Sequence, residues 1–324
     1  MLHRKVILYA VLLIAFAACT KQDVLPVQTL STTSVASNAT LQIPLTKRTF
    51  FGLSEEDTEV NELKADMSLA GVNVLRQSIY LSEKTVNRTI DNYLSEGYNV
   101  QIIVCWYDSI NGSRGFPKNL DLVKSQAEAF FQHYASYKNQ IPFVAIENEW
   151  DYQVQHGSNL QDYINELSTI TQVGHKYGFK IADGGITSGA LQRWTYSQLT
   201  GTAQQQWKDK YYVGLNNDYD ALMNIVNTYI ASAKKINFDY SNVHWYNTMR
   251  CGNGFSTAMQ TFMKACNKQV PVCNEFGIRT SSLSLFTQTD NEIKRNALYA
   301  IAYSGSNIKG KAIKLTDAML QALK

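Results

Sequence analysis

Apolar and polar positions from Lys47 to the C-terminus alternate between two patterns. Short, nearly continuous apolar runs have the length of buried strands, and the longer stretches between them repeat apolar residues at helical spacing. Eight strand–helix pairs are predicted in this way. The predicted strands cover 48–53, 73–77, 99–106, 142–150, 180–185, 241–247, 269–277 and 310–317.

This alternation predicts an α/β fold. Strands separated by helices pair in parallel, and nearly continuous apolar strands indicate burial on both faces of the sheet. Eight such units in a chain of this length favour a single-domain (β/α)8 TIM barrel, which typically needs about 250 residues. An open, doubly wound sheet is the alternative, but the Gly-rich phosphate fingerprint that often follows its first strand is missing.

The N-terminal residues have the pattern of an export signal. His3, Arg4 and Lys5 precede an apolar run at 6–18, which is shorter than the roughly 20 residues that span a bilayer. We therefore predict a signal peptide at 1–18. Small residues directly before Cys19 resemble a bacterial lipoprotein signal, so lipidation of Cys19 is expected, with an ordinary cleaved signal as the alternative.

The predicted domain organisation follows from these boundaries. Residues 19–46 are rich in Ser and Thr without clear periodicity, which indicates a tether, and 47–324 form the barrel. We expect a monomeric cell-surface or periplasmic lipoprotein, or otherwise a secreted protein. Its only membrane contact would be the lipid anchor.

Composition excludes some classes of function. The chain has 30 Lys and Arg against 27 Asp and Glu, a net charge of +3, and this excess is too small to indicate a nucleic-acid partner. The five His are scattered without an HxH or HExxH motif, and we predict no metal and no cofactor. Cys105 and Cys273 fall in strand-like runs and are expected to be buried and reduced, whereas a disulfide of Cys251 or Cys266 stays open.

Chemically capable side chains gather where several predicted strands end. The C-terminal ends of barrel strands form the active-site face. Glu149 on the fourth strand and Glu275 on the seventh would therefore face each other across the mouth. A carboxylic acid opposite a carboxylate is the machinery of glycoside hydrolysis.

Four sequence fragments resemble the large retaining clan of (β/α)8-barrel glycoside hydrolases. IENEWD at 146–151 resembles its Asn-Glu acid/base motif on strand four, and VCNEFG at 272–277 its nucleophile motif on strand seven. RQ at 76–77 and HWY at 244–246 fall where the clan has an Arg and a His–Tyr pair. The resemblance implies hydrolysis of a β-linked poly- or oligosaccharide by double displacement, without a cofactor.

The resemblance also implies roles for individual residues. Glu149 would be the acid/base and Glu275 the nucleophile. Supporting or substrate-binding roles fall to Asn148 at the sugar 2-hydroxyl, to Arg76 and Tyr246 beside Glu275, to His244 beside the acid/base, and to Trp106, Trp150 and Trp245 as sugar-stacking rings.

Several alternatives remain at this stage. Glu147 could replace Glu149 as the acid, Arg76 could form a structural ion pair, and His244 and Trp245 could serve packing alone. Aromatic residues after strand five form either a subsite wall or a pin for that loop: Trp194, Trp207, Tyr211 and Tyr212.

The predicted eighth strand departs from the clan. It has Lys314 or Thr316 where a Trp commonly forms the sugar floor. A non-catalytic glycan-binding surface lipoprotein on the same scaffold is therefore the second hypothesis.

Overall fold

The computed structural model describes residues 52–53, 60–108, 113–211, 218–247, 254–268, 270–304 and 314–324. These residues belong to one compact unit, Gln42–Lys324. The predicted signal peptide, Cys19, the tether, Tyr212 and Cys251 lie outside the described residues and stay predictions.

Eight parallel strands carry the fold. They are β1 (Gly52–Leu53), β2 (Val74–Tyr80), β3 (Asn99–Cys105), β4 (Val144–Ile146), β5 (Ile181–Asp183), β6 (Ser241–Asn247), β7 (Pro271–Ile278) and β8 (Tyr299–Ser304). A short antiparallel pair, Tyr107–Asp108 with Ser113–Arg114, follows β3.

At least one helix lies between each pair of successive strands. The helices are α1 (Val60–Ala70), α2 (Arg88–Ser95), α3 (Leu120–Tyr134), α4 (Trp150–Gln155), α5 (Leu160–Lys176), α6 (Ser188–Gln198), α7 (Gly201–Tyr211), α8 (Tyr219–Ala233), α9 (Phe255–Cys266), α10 (Leu283–Asn296) and α11 (Asp317–Ala322). A 3₁₀ turn, Ala135–Tyr137, extends α3. In the part of the chain described, no helix is long and apolar enough to cross a membrane.

Neighbouring strands follow one another in chain order. The strands pair as β2-β3-β4-β5 in one sheet and as β1-β8-β7-β6 in the other. Two parallel bridges, Ala182 to Tyr240 and Ile186 to Val243, connect the β5 side to the β6 side, and β1 lies beside β2. This order confirms the predicted (β/α)8 arrangement.

Alternation along the strands separates the barrel interior from the layer under the helices. On β3, Ile103 and Cys105 pack with Phe143, Ala145, Ala182 and Val272, whereas Ile102 and Val104 join the core beneath the helices. Cys105, Cys266 and Cys273 are buried thiols that are not joined in a disulfide. The structure thus confirms the reduced state expected of Cys105 and Cys273, and Cys266 forms no disulfide.

The prediction for the eighth strand was wrong. The strand is Tyr299–Ser304, inside a segment that was expected to be helical, and residues 314–316 form no strand. An apolar run this short fits either structure by periodicity alone. Tertiary pairing decides between them, because the N–H of Leu298 donates to the carbonyl of Pro271 and β8 then continues alongside β7.

Candidate active site

The turn after β4 separates the side chains of the two candidate acids, Glu147 and Glu149. Glu147 (φ 70°) and Glu149 (φ 54°) are both in the left-handed region, which non-glycine residues rarely adopt. Glu147 is 1% exposed. Its carboxylate accepts the N–H of Trp106 at 2.5 Å and the side chain of Gln153 at 3.0 Å.

Glu149 faces the mouth of the barrel instead. Its side chain is 27% exposed, and its Oε1 lies 3.1 Å from His244 Nδ1. Because the buried Glu147 carboxylate already accepts hydrogen bonds from Trp106 and Gln153, the geometry favours Glu149 over Glu147 as the acid/base residue.

Glu275 is held by two partners from other strands. Arg76 Nη1 donates to its Oε2 at 2.7 Å, and Tyr246 Oη donates to its Oε1 at 2.6 Å. Burial opposes ionisation, but it is outweighed by the charges of Arg76 and His244 and by these hydrogen bonds. They hold the pKa of Glu275 well below its usual value of 4.5.

Arg76 connects the two motifs. Besides Glu275, its Nη1 donates to the Asn274 carbonyl at 2.9 Å, and its Nη2 donates to Asn148 Oδ1 at 3.0 Å. The planar guanidinium can do this because its donors point in fixed directions. Arg76 is therefore an ion-pair partner within the site, and it also positions Asn148.

An irregularity in β7 turns two consecutive side chains into the barrel. Between the pairs Asn242–Val272 and His244–Glu275, β6 advances two residues while β7 advances three. The pairing with β8 shows the same shift, between Ala300 and Ala302. Such a bulge re-aims side chains, and here both Asn274 and Glu275 contact residues of β6.

The six polar residues singled out in the sequence therefore come together: Arg76, Asn148, Glu149, His244, Tyr246 and Glu275. Ligand atoms of Glu149, His244 and Glu275 all lie within 4.8 Å of one another, a spacing that could hold a metal ion. A cation there would be repelled by the Arg76 guanidinium, which already supplies the positive charge at Glu275.

Two of the three tryptophans that were expected to stack on a sugar are fully buried. Trp150 and Trp245 are 0% exposed; Trp150 stacks on Tyr229 with ring centroids 4.1 Å apart, and Trp245 packs against Phe255 and Tyr211. Neither ring offers a face to a ligand, because Trp245 is out of phase with His244 and Trp150 turns inward at the start of α4. Trp106 is 9% exposed at the end of β3.

Aromatic residues after β5 are also packed inside. Trp194 and Trp207 are buried and donate to Asn227 and to the Gln192 carbonyl. Of the two roles left open, the structure favours packing that holds α6 and α7 in place over the formation of a subsite wall.

Three contributors to this region were not singled out in the sequence. Tyr303 on β8 packs edge-on against Tyr246, with centroids 6.4 Å apart, and it was missed because β8 was misplaced. Gln101 and Asn242 are buried at the barrel interior. Each is a polar residue within an otherwise apolar strand, on the strand face that points into the barrel. That pattern in the sequence could have identified them.

Comparison with known proteins adds information on the fold. No family model matches the sequence, and no curated protein matches it. A family 39 glycoside hydrolase from the gut symbiont Bacteroides cellulosilyticus WH2 has a similar structure, with a TM-score of 0.53 and 12% identity, over 87% of this chain and 62% of that one. The chain thus spans less than two thirds of that protein's length.

A second solved structure is matched over nearly its whole length. It is an endo-β-1,3-glucanase of glycoside hydrolase family 128, subgroup II, from Pseudomonas viridiflava, with a TM-score of 0.51 and 14% identity, over 86% of this chain and 96% of that one. Together with the strand order, these similarities show that the chain has the (β/α)8-barrel fold found in glycoside hydrolases.

Proposed function

We propose that this protein is a retaining glycoside hydrolase that cleaves a β-linked poly- or oligosaccharide. The observation that carries the proposal is the approach of the Glu149 and Glu275 carboxylates, whose nearest oxygens lie within 4.8 Å. Retaining enzymes hold their carboxyl groups about 5–5.5 Å apart, whereas inverting enzymes leave about 6.5–9.5 Å for a water molecule.

The two carboxylates have different surroundings and take different roles in the proposed reaction. Glu275 is kept ionised by Arg76 and attacks the anomeric carbon, while Glu149 donates a proton to the departing glycosidic oxygen. Water then attacks the resulting glycosyl ester, and Glu149 takes the proton of that water. Asn148, which Arg76 holds by a hydrogen bond, binds the sugar 2-hydroxyl in this proposal.

The name of a structural neighbour suggests which substrates to test first. The site uses side chains alone and needs no cofactor for this chemistry. Since the neighbour from Pseudomonas viridiflava is described as an endo-β-1,3-glucanase, soluble β-1,3-glucans are the first polymers to test. The predicted signal and lipid anchor would place the reaction at the cell surface or in the periplasm.

Anion rescue of two variants tests the roles. Purified protein is assayed on soluble β-glucans, mannans and aryl β-glycosides, and the anomer formed first is identified by NMR. We expect Glu275→Ala to lose turnover, with azide yielding an α-glycosyl azide. Glu149→Ala should lose about 10²–10⁴-fold on poor leaving groups, keep much of its first step on dinitrophenyl glycosides, and yield a β-glycosyl azide.

Glu128→Ala serves as the matched control, because Glu128 lies on the outer helix α3 in an exposed ion pair with Lys176. Full activity in either active-site variant would remove that residue from its role. Binding of glycans without turnover by the unchanged protein would favour the non-catalytic hypothesis instead.

A further inference from the structure

Three amide side chains lie in the barrel interior below the two glutamates. Gln101 on β3 and Asn242 on β6 are 0% exposed, and Asn274 on β7 is 1% exposed. Buried amides are stable only when they are hydrogen-bonded. Hydrogen bonds join these three into a chain with Asn274 at its centre, and Asn274 also contacts His244.

Backbone groups fix the orientation of the Asn242 and Gln101 amides, and these two amides orient Asn274. The N–H of Asn274 must donate, so the atom 3.1 Å away on Asn242 is its Oδ1. Asn242 therefore presents Nδ2 to Asn274 at 2.7 Å, and the atom that receives it is Asn274 Oδ1.

The other end of the chain agrees. Gln101 Nε2 donates to the Ile102 carbonyl at 2.8 Å, which leaves Gln101 Oε1 to accept Asn274 Nδ2 at 3.3 Å. The amide of Asn274 is thus oriented from both sides, with its oxygen toward β6.

This orientation determines which nitrogen of His244 carries hydrogen. His244 Nε2 lies 2.9 Å from Asn274 Oδ1, an acceptor, so Nε2 must donate. The backbone at Gly185 packs closely against the ring, because a Cβ added to this glycine would lie only 2.7 Å from Nε2. Nδ1 is left facing Glu149 Oε1 at 3.1 Å.

We propose that Asn242 and Asn274 hold His244 with Nε2 protonated, so that its Nδ1 shares the exchangeable proton of Glu149. This inference rests on the proposed function. One proton lies on Glu149 or on His244 Nδ1; when it passes to the leaving oxygen, Glu149 is ionised and His244 is neutral. The proton that Glu149 takes from water in the second step restores the pair.

The surrounding charges are consistent with a shared proton. Burial disfavours the imidazolium, and so does the charge of Arg76, but the Glu275 and Glu149 carboxylates outweigh them and raise the pKa of His244. The charged or titratable groups that act on His244 are Glu149, Glu275, Arg76, Asp151 and Asp183.

Two substitutions at Asn274 should shift the pH–rate profile in opposite directions. In Asn274→Asp the carboxylate accepts from Nε2 and favours the imidazolium, so the alkaline limb of kcat/KM moves to higher pH. In Asn274→Leu, Nε2 loses its acceptor and the alkaline limb moves to lower pH. Because a hydrogen bond to a charged group is stronger than one between neutral groups, shifts of about one pH unit or more are expected.

Gln101→Leu tests the chain without touching His244 and should give a smaller shift to lower pH. Asn165→Asp and Asn165→Leu, on helix α5, are the matched controls, and thermal melting reports folding of each variant. A purely structural role would lower kcat without moving the alkaline limb. Such a result, or shifts of the same sign in both Asn274 variants, would contradict the proposal.

¹⁵N NMR of the histidine rings tests the inference independently of turnover. Above the alkaline limb, the unchanged protein should show His244 protonated at Nε2 only, and Asn274→Leu should show protonation at Nδ1. An Nδ1-protonated ring in the unchanged protein overturns the inference. If no glycan is cleaved, the proposed function fails while this measurement still decides the tautomer.

Discussion

Arg76 shows how a single side chain serves both charge and geometry at the residue scale. Its guanidinium neutralises Glu275, and the second nitrogen holds Asn148. A lysine would supply the charge but not the fixed fork of donors. The two contributions can therefore be separated by substitution.

We expect Arg76→Met to lower kcat/KM by about 10²–10³-fold, as removal of a preorganised electrostatic partner does. Because Arg76 lowers the pKa of Glu275, its loss should move the acidic limb of the pH–rate profile up by about 1–3 units. Arg76→Lys should keep much of the acidic limb and lose kcat through Asn148.

The pH dependence of kcat/KM between pH 3 and 8 checks this expectation, with thermal melting as the measure of folding. Arg88→Met, at the exposed start of α2, is the matched control. An acidic limb unchanged in Arg76→Met would show that Arg76 does not keep Glu275 ionised.

Close packing of helices on the barrel governs the element scale. Helix α5 contacts the barrel through Gly174, where an added Cβ would lie 2.6 Å from Ile181 Cδ1 and 2.9 Å from Phe131 Cζ. Gly189 in α6 is exposed, and a Cβ added there would have no atom within 4 Å. The same substitution therefore has opposite consequences in two helices.

Gly174→Ala should lower the free energy of unfolding by about 1–3 kcal/mol, because overpacking displaces α5. Gly189→Ala should leave it unchanged or raise it by up to about 1 kcal/mol, since alanine has the higher helix propensity. Urea unfolding of both variants measures the difference. Equal stability of the two would mean that α5 does not depend on the close approach at Gly174.

At the scale of the whole molecule, the two four-stranded sheets meet between β5 and β6. Among the described residues, two isolated parallel bridges join the two sides there. Asp183 strengthens the junction by accepting the Asn242 N–H at 2.5 Å and the Tyr229 hydroxyl. Burial of this carboxyl group, partly offset by these bonds, raises its pKa to about 6.

Asp183 makes stability depend on pH. Since its folded pKa lies above the unfolded value of 3.8, protonation favours the folded state fully below pH 3.8, and this contribution is lost as the pH rises through about 6. A difference of about two pKa units corresponds to about 3 kcal/mol.

Asp183→Asn imitates the protonated acid and can keep both hydrogen bonds, because the Tyr229 hydroxyl can accept from the new amide. We expect the variant to match the unchanged protein near pH 4 and to exceed its free energy of unfolding by up to about 3 kcal/mol at pH 7.5. Urea unfolding across this range, with exposed Asp209→Asn as control, measures the effect. A constant difference between the two proteins at all pH values would contradict it.

The sequence by itself determined the order of the first seven strands and their alternation with helices, because hydrophobic periodicity is local, and it located the glutamates, Arg76, His244 and Tyr246 at strand ends. Only the tertiary structure decided the remainder. Pairing with β7 made 299–304 a strand, left-handed backbone turned Glu147 away from Glu149, and the β7 bulge aimed Asn274 and Glu275 into the barrel together. Each depends on contacts between residues far apart in the chain, which periodicity along one segment does not record.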